Sequence, residues 1–270
     1  MAHDGLYGPE TVTWRVNREG VLLLGGGRAL LMQVAHPLVA AGVEQHSGYE
    51  RDPWGRLYRT LDTVTKIVFG TRAESEGAAA RLRRAHERVS GVSREGVAYD
   101  ARDPDLLLWV WATLVDTSLV VYERCVVALS DAERERYYRE QWRFARACGV
   151  PEGHWPATHA AFADYLVRME RDELAVGEDA QRIAATVVGP RVALPLRPAF
   201  AVAGLATVGL LPPGLRAQYG YAWGPGRERA LALLLRGAGG VRPLLPPPLR
   251  EFPAARRAAK AETRPSVAAS

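Results

Sequence analysis

From Asp105 to Leu129 the chain is apolar on nearly every side of a helical projection, with Leu106, Leu107, Leu108, Trp109, Val110 and Trp111 in unbroken succession. A helix that is apolar all round has to be buried, so this stretch predicts a central helix wrapped by others. Asp116 interrupts it, and a carboxylate there must find a partner. Helical periodicity dominates the rest of the chain and no alternating strand run competes with it, which predicts an all-α fold. The 270 residues suffice for one full core.

Helix boundaries are marked by local chemistry. Asp52-Pro53 and Asp103-Pro104 each pair a capping aspartate with a proline at the first helical position. Ser130-Asp131-Ala132-Glu133 is a capping box opening a charged helix to Cys148. Pro37 breaks or kinks an apolar helix running from Gly20 through Val34, and a short helix then carries Val39 to His46. Further helices are expected from Pro9-Glu10 to Asn17, from Pro53 to near Gly70, over Ala73–Val92, after Pro156, over Glu178–Val188, up to Pro212-Pro213, and over Gly226–Arg236; Ser93 to Arg102 reads as a polar loop. From Val241 onward proline, arginine and alanine take over with little periodicity. The organisation expected is therefore one helical domain over 1–240 and a loosely ordered tail over 241–270.

The net charge of +5 comes almost wholly from arginine, since the only lysines are Lys66 and Lys260. No arginine run alternates with aromatics as a nucleic-acid surface would, so the charge reads as solvated helix faces and a basic tail. Cys125 and Cys148 are too few for a disulfide framework, lack metal spacing, and are expected in the core. No basic segment followed by an apolar run opens the chain. The longest apolar stretch, Ala199 to Leu211, is shorter than the ~18–20 residues a membrane span requires. These features set the expectation of a cytoplasmic protein with no membrane span and no nucleic-acid partner.

Among motifs, Gly25-Gly26-Gly27-Arg28 lacks the Lys-Ser/Thr ending of a phosphate loop and the spacing of a dinucleotide fingerprint. Its glycines fit close helix packing or approach to a flat ligand. His36 and His46 lie ten residues apart across a proline with Glu44 between, which is not the i, i+4 spacing of a zinc helix. His154 and His159 flank Pro156 and read as surface residues. No G-x-S-x-G elbow is present, and neither cysteine has a neighbouring histidine. Glu170, Asp172 and Glu173 form a charged face rather than an acid/base pair.

What remains is Arg81-Leu82-Arg83-Arg84-Ala85-His86-Glu87-Arg88-Val89, with Arg56-Leu57-Tyr58-Arg59-Thr60 upstream. As a helix, it puts Leu82, His86 and Val89 on one inward stripe and leaves Arg81, Arg84 and Arg88 in water. An inward imidazole facing an arginine-rich helix suits an iron–porphyrin pocket; it equally suits a hydrogen-bonded core histidine.

The run from Leu22 through Gly25-Gly26-Gly27-Arg28 and His36-Pro37 to Val43 resembles the family of the rubber oxygenase (latex-clearing protein) and the mycophenolic-acid-pathway oxygenase MpaB. The resemblance continues through Arg56-x-x-Arg59-Thr60, Phe69-Gly70-Thr71, Arg83-x-x-His86 and Tyr99-x-Ala101-x-Asp103-Pro104, then along Trp109 to Tyr122 and on to Leu211-Pro212. It implies an all-helical, globin-like core around haem b, with His86 as the proximal iron ligand and Arg56, Arg59 and Thr60 on the distal side. Where relatives carry a lysine that ligates the iron in a closed form, this chain has Arg59, whose guanidinium stays protonated and offers no lone pair. Glu44 is the nearest match to the family's proposed catalytic glutamate. Arg83 is a candidate for the propionates, His36 for lining the pocket, and Trp111 stands where relatives carry histidine. The activity implied is a haem b oxygenase taking dioxygen and an apolar or moderately polar small organic substrate. Relatives act on a polymer alkene and on a farnesyl side chain, and without a visible secretion signal the polymer is the less fitting substrate here. A haem protein without turnover and a haem-free helical binding or structural protein remain the alternatives.

Overall fold

In a computed structural model the apolar run becomes a helix over Pro104–Cys125 that thirteen buried side chains fix at the centre of the fold. Asp103 caps it by accepting the Asp105 N–H at 2.8 Å. The structure describes residues 4–48, 53–190 and 193–262, without the side chains of 53, 54, 56, 57 and 262. Among them fourteen helices stand in this order. The first seven are α1 (Val12–Asn17), α2 (Gly26–Val34), α3 (Pro37–His46), α4 (Pro53–Phe69), α5 (Arg72–His86), α6 (Pro104–Cys125) and α7 (Asp131–Cys148). The others are α8 (His159–Arg168), α9 (Glu178–Val188), α10 (Arg197–Leu210), α11 (Pro213–Gln218), α12 (Pro225–Val241), α13 (Pro247–Arg250) and α14 (Pro253–Glu262). The all-α expectation holds. α1, α2, α7 and α12 pack around α6. α6 is long and apolar enough to cross a bilayer, yet 67% of that apolar window lies inside the fold, as in a core helix. It, and not the Ala199–Leu211 run, is the longest apolar segment.

Asp116 finds its partner in Arg28. That guanidinium is only 4% exposed and donates from Nη2 to Asp116 Oδ2 (2.6 Å), from Nη1 to Thr117 Oγ1 (2.6 Å) and from Nε to the Leu210 carbonyl (2.7 Å). α2, α6 and α10 are thereby locked at one point.

Of the three glycines before Arg28, Gly25 and Gly27 serve packing. The expected continuous Gly20–Val34 helix is a 3-10 turn over Gly20–Gly25 followed by α2. The tighter turn lets the backbone approach α6 and α10: a Cβ at Gly25 would lie 2.5 Å from Thr117 Cγ2, and one at Gly27 would overlap Thr207 Oγ1. Nothing lies within 4 Å of a Cβ at Gly26. Gly27→Ala should therefore cost about 1–3 kcal/mol in urea unfolding through overpacking. Gly26→Ala, which adds helix propensity in open space, should be neutral or stabilising by up to about 1 kcal/mol.

One expectation about elements is corrected. The histidine helix does not run to Val92 but ends at His86; Ser90–Val92 (β1) then pairs antiparallel with Ala98–Asp100 (β2) in the stretch read as a loop. The turn between them closes at Gly96, whose φ of +82° suits glycine. After Val241 the described chain runs on through α13 and α14 to Glu262. Arg242 donates to the carboxylate of Glu19, which is 1% exposed, Glu19 bridges Glu251, and Ala255 of α14 is buried in the main core. α14 leans on α4. Residues 263–270 of the expected tail lie outside the described residues.

Candidate functional site

α4 and α5 form an antiparallel hairpin around Gly70. Thr71 caps α5 with a capping box to Glu74, and Ser75 Oγ donates to the Ile67 carbonyl at 3.2 Å. Near this closed end the hairpin is tightly packed: Ile67, Val68, Phe69, Ser75, Ala78 and Ala79 are all buried. Away from it the packing loosens, and no described side chain from 58 to 66 or from 80 to 86 is fully buried.

His86 sits at that loose end. Fourteen residues of helix separate it from Arg72, about 21 Å at the helical rise, which brings it level with the first turns of α4. It shares a face with Ser75 and Leu82 by helical periodicity, the face Ser75 turns toward α4. On α4, Thr60 lies seven residues before Ile67, on the corresponding face. Thr60 and Arg59 are both exposed there. The Arg56 side chain lies outside the described residues.

The His86 ring is half-buried, and burial lowers its pKa, which favours the neutral form with one nitrogen lone pair available. Backbone pairing beyond the helix end fixes its position. The Val89 N–H donates to the His86 carbonyl (3.0 Å), and the Ala101 N–H to that of Val89 (2.8 Å). Val89 and Tyr99 reach α3 at Gly42, each 3.5 Å from where a Cβ would stand, and the Tyr99 hydroxyl donates to Gln45 Oε1 at 2.7 Å. Tyr99 and Gln45 thus position the end of α5. Sequence reading missed both, because the pairing that brings them there joins strands of only three residues.

The other candidates disperse. Arg83 donates from Nη1 to the Ala147 carbonyl at the end of α7 (3.1 Å). Glu44 accepts from Arg182 Nε (3.1 Å), and Arg182 also holds Asp179, which accepts from Arg94 Nε (2.6 Å). Glu44 therefore belongs to an ion-pair network joining α3, α9 and the β1–β2 turn. His36 stands at the 108° bend between α2 and α3, with Nδ1 buried and unpartnered and its pKa lowered by burial against the counteracting charges of Glu173, Asp103 and Asp105. No hydrogen bond or ring contact joins His36 to His86 among the described residues. Trp111 is buried against Tyr138 and Phe162 (centroids 5.8 and 5.9 Å), its Nε1 unpartnered. Burial pushes the Cys148 thiol up to about 12, so it is no nucleophile.

Burial also depresses the pKa of His159, as it does those of His36 and His86. Below the ordinary histidine value of 6.5 the unfolded chain takes up protons that the folded one refuses. Thermal stability is expected to be full above that pH and to fall as the pH drops below it, measurably in melts at constant ionic strength.

Two surface cavities of about 510 Å³ lie on α7 around Glu135 and Arg139 and at the start of α9 around Glu178 and Arg182; neither takes in His86. No group of three or more His, Cys, Asp or Glu side chains is placed to hold a metal ion among the described residues. A metal at His86 would need its remaining ligands from a bound group. Half-buried His86 and exposed Arg59 and Thr60 stand on the two helices of one hairpin.

Residues 14–257 match the family described as ER-bound oxygenase mpaB/B'/rubber oxygenase, catalytic domain. The chain belongs to this family. The match includes the segment beyond Val241, so α13 and part of α14 are within the mpaB/rubber oxygenase catalytic domain. An uncharacterised protein of Mycobacterium bovis, Mb2261, is 30% identical over 217 residues, covering 76% of this chain and 83% of its own length. The uncharacterised protein Rv2237 of Mycobacterium tuberculosis matches with the same identity and coverage. No solved structure matches the chain. Membership gives the chemistry in outline: an oxygenase domain, acting on an organic molecule with dioxygen.

Proposed function

We propose that the chain is a haem b-dependent oxygenase of a small apolar or moderately polar organic substrate, with His86 as the iron ligand. The observation that carries this is His86 itself: a neutral ring on the inner face of α5, at the end of the hairpin where burial gives out and where Arg59 and Thr60 stand exposed. Haem, when bound, supplies the redox chemistry that activates dioxygen. The protein supplies the rest. One ring nitrogen of His86 would bind the iron, and the N–H on the other would need an acceptor that fixes the tautomer. Arg59 would add a permanent positive charge near the group but has no lone pair with which to ligate it. Arg56 and Arg83 are the guanidinium candidates for the propionates, and His36, with its unpartnered Nδ1, for a pocket wall. Glu44 can act as a base only if its pairing with Arg182 opens.

Protein purified from a haem-supplemented host should show a Soret band and consume oxygen with apolar test substrates. A colourless protein that also fails to take up added haemin overturns the reading and leaves a helical binding protein. A Soret band without oxygen consumption across substrates makes it a haem carrier or sensor.

A further inference from the structure

One end of the molecule keeps an apolar surface that the core does not use. The chain enters α10 through a 3-10 turn over Leu194–Leu196, and from 193 to 203 every side chain except Phe200 is exposed; burial begins at Gly204. Leu194 is 72% exposed, Leu196 51% and Val202 43%. α12 runs antiparallel beside α10: a Cβ at Gly209 would meet Leu231 at 2.7 Å, and Leu235 shares a buried cluster with Ala206. Continued past Leu235, α12 carries Val241 and the following turn carries Leu244, 81% exposed, toward the same end. α10 runs on directly from the turn at Leu194 and packs along α12.

The charge around this surface is mainly positive. Between residues 193 and 250 there are seven arginines and a single acid, Glu228, which is bonded to Trp223 Nε1 at 2.6 Å; Arg242 and Arg250 pair with Glu19 and Glu251, which leaves five cations. Along α12, Arg229, Leu233, Arg236 and Gly240 follow at three- and four-residue spacing on the exposed face, with Leu244 beyond. Leucines interleaved with arginines on one face are the composition of a surface that lies in a lipid interface. A second copy of this chain would bring the same cations against each other, which disfavours self-association.

We propose that this end docks on the surface of an anionic lipid bilayer, with Leu194, Leu196, Val202 and Leu244 entering the acyl boundary and Arg197 and Arg236 at the phosphates. The attachment is peripheral and requires no spanning helix. It rests on surface chemistry alone, so its failure and the failure of the haem assignment are separate results.

The test is flotation of the full-length protein with vesicles of phosphatidylcholine, with and without phosphatidylglycerol. Binding is expected to the phosphatidylglycerol vesicles, much weaker binding to phosphatidylcholine alone, and release by salt. Arg197→Ala/Arg236→Ala removes two surface cations and should weaken binding roughly 30-fold. Leu194→Asp/Leu196→Asp, at exposed positions, should weaken it by at least about tenfold while circular dichroism and melting stay as in wild type. Equal partitioning into both vesicle types overturns the proposal, as do wild-type binding by either double variant and absence of binding to anionic vesicles. A dimer seen by light scattering that Leu194→Asp/Leu196→Asp abolishes overturns it in favour of self-association.

Discussion

His86→Ala protein, produced alongside wild type in a haem-supplemented host, is expected to emerge without the Soret band and to bind added haemin about a hundredfold more weakly or worse. The ring is the one protein ligand the proposal assigns to the iron, and losing a direct ligand costs more than the roughly 10–100-fold typical of an outer-shell partner. The variant should fold. His86 is the last residue of α5, half-buried, and the capping box at the other end of the helix does not depend on it. Circular dichroism and a melt are the control. The sharper readout is rescue: adding imidazole to His86→Gly protein should restore the band, because the small molecule refills the ligand's place. A band that persists in the alanine variant, or one that imidazole leaves absent in a folded glycine variant, removes His86 from the iron. Haemin affinity should also fall with acidification below the pKa of the ring, which burial holds under the ordinary histidine value.

Arg28→Met should be the most destabilising single change away from the site. The guanidinium makes two buried hydrogen bonds and a third, partly buried, to Asp116, and its removal leaves the Asp116 carboxylate, the Thr117 hydroxyl and the Leu210 carbonyl without it together. Breaking a buried pair from one side costs about 3–5 kcal/mol. For a chain of this size that lowers Tm by roughly 10 °C. Arg28→Met/Asp116→Leu removes both charges and should recover most of the loss, because the penalty lies in the uncompensated ion more than in the missing attraction. If the double variant is as unstable as the single one, the hydrogen bonds to Thr117 and Leu210 carry the stability instead of the ion pair.

How much the sequence discloses depends on the range of the interactions involved. α6 is legible because its burial is written in every residue, and the start of α7 because Ser130 and Glu133 satisfy each other within one turn. The need of Asp116 for a partner is legible too, but its answer lies 88 residues away, where local pattern says nothing. The end of α5 is misread for a related reason. Val89, Ser90, Gly91 and Val92 continue an apolar stripe tolerably as helix, and only pairing across Gly96 makes them a strand. That error touches the site, since it moves His86 from mid-helix to a helix end held by Tyr99 and Gln45. Glu44 stands out by position alone, and its Arg182 partner is 138 residues on. The segment after Val241 reads as loose because its proline, arginine and alanine lack periodicity; its contacts are with Glu19 and α4, far away in the chain.

The tie between Glu19 and Arg242 spans 223 residues. A nascent chain emerging amino end first exposes a carboxylate destined for the interior long before its cation has been made. The α4–α5 hairpin likewise waits for α14 before its outer side is covered. The oxygenase domain is therefore complete only once Arg242 and the last helices have been made, and a chain stopped short of Arg242 leaves one of its innermost charges with only the longer contact to Arg18 at 3.8 Å.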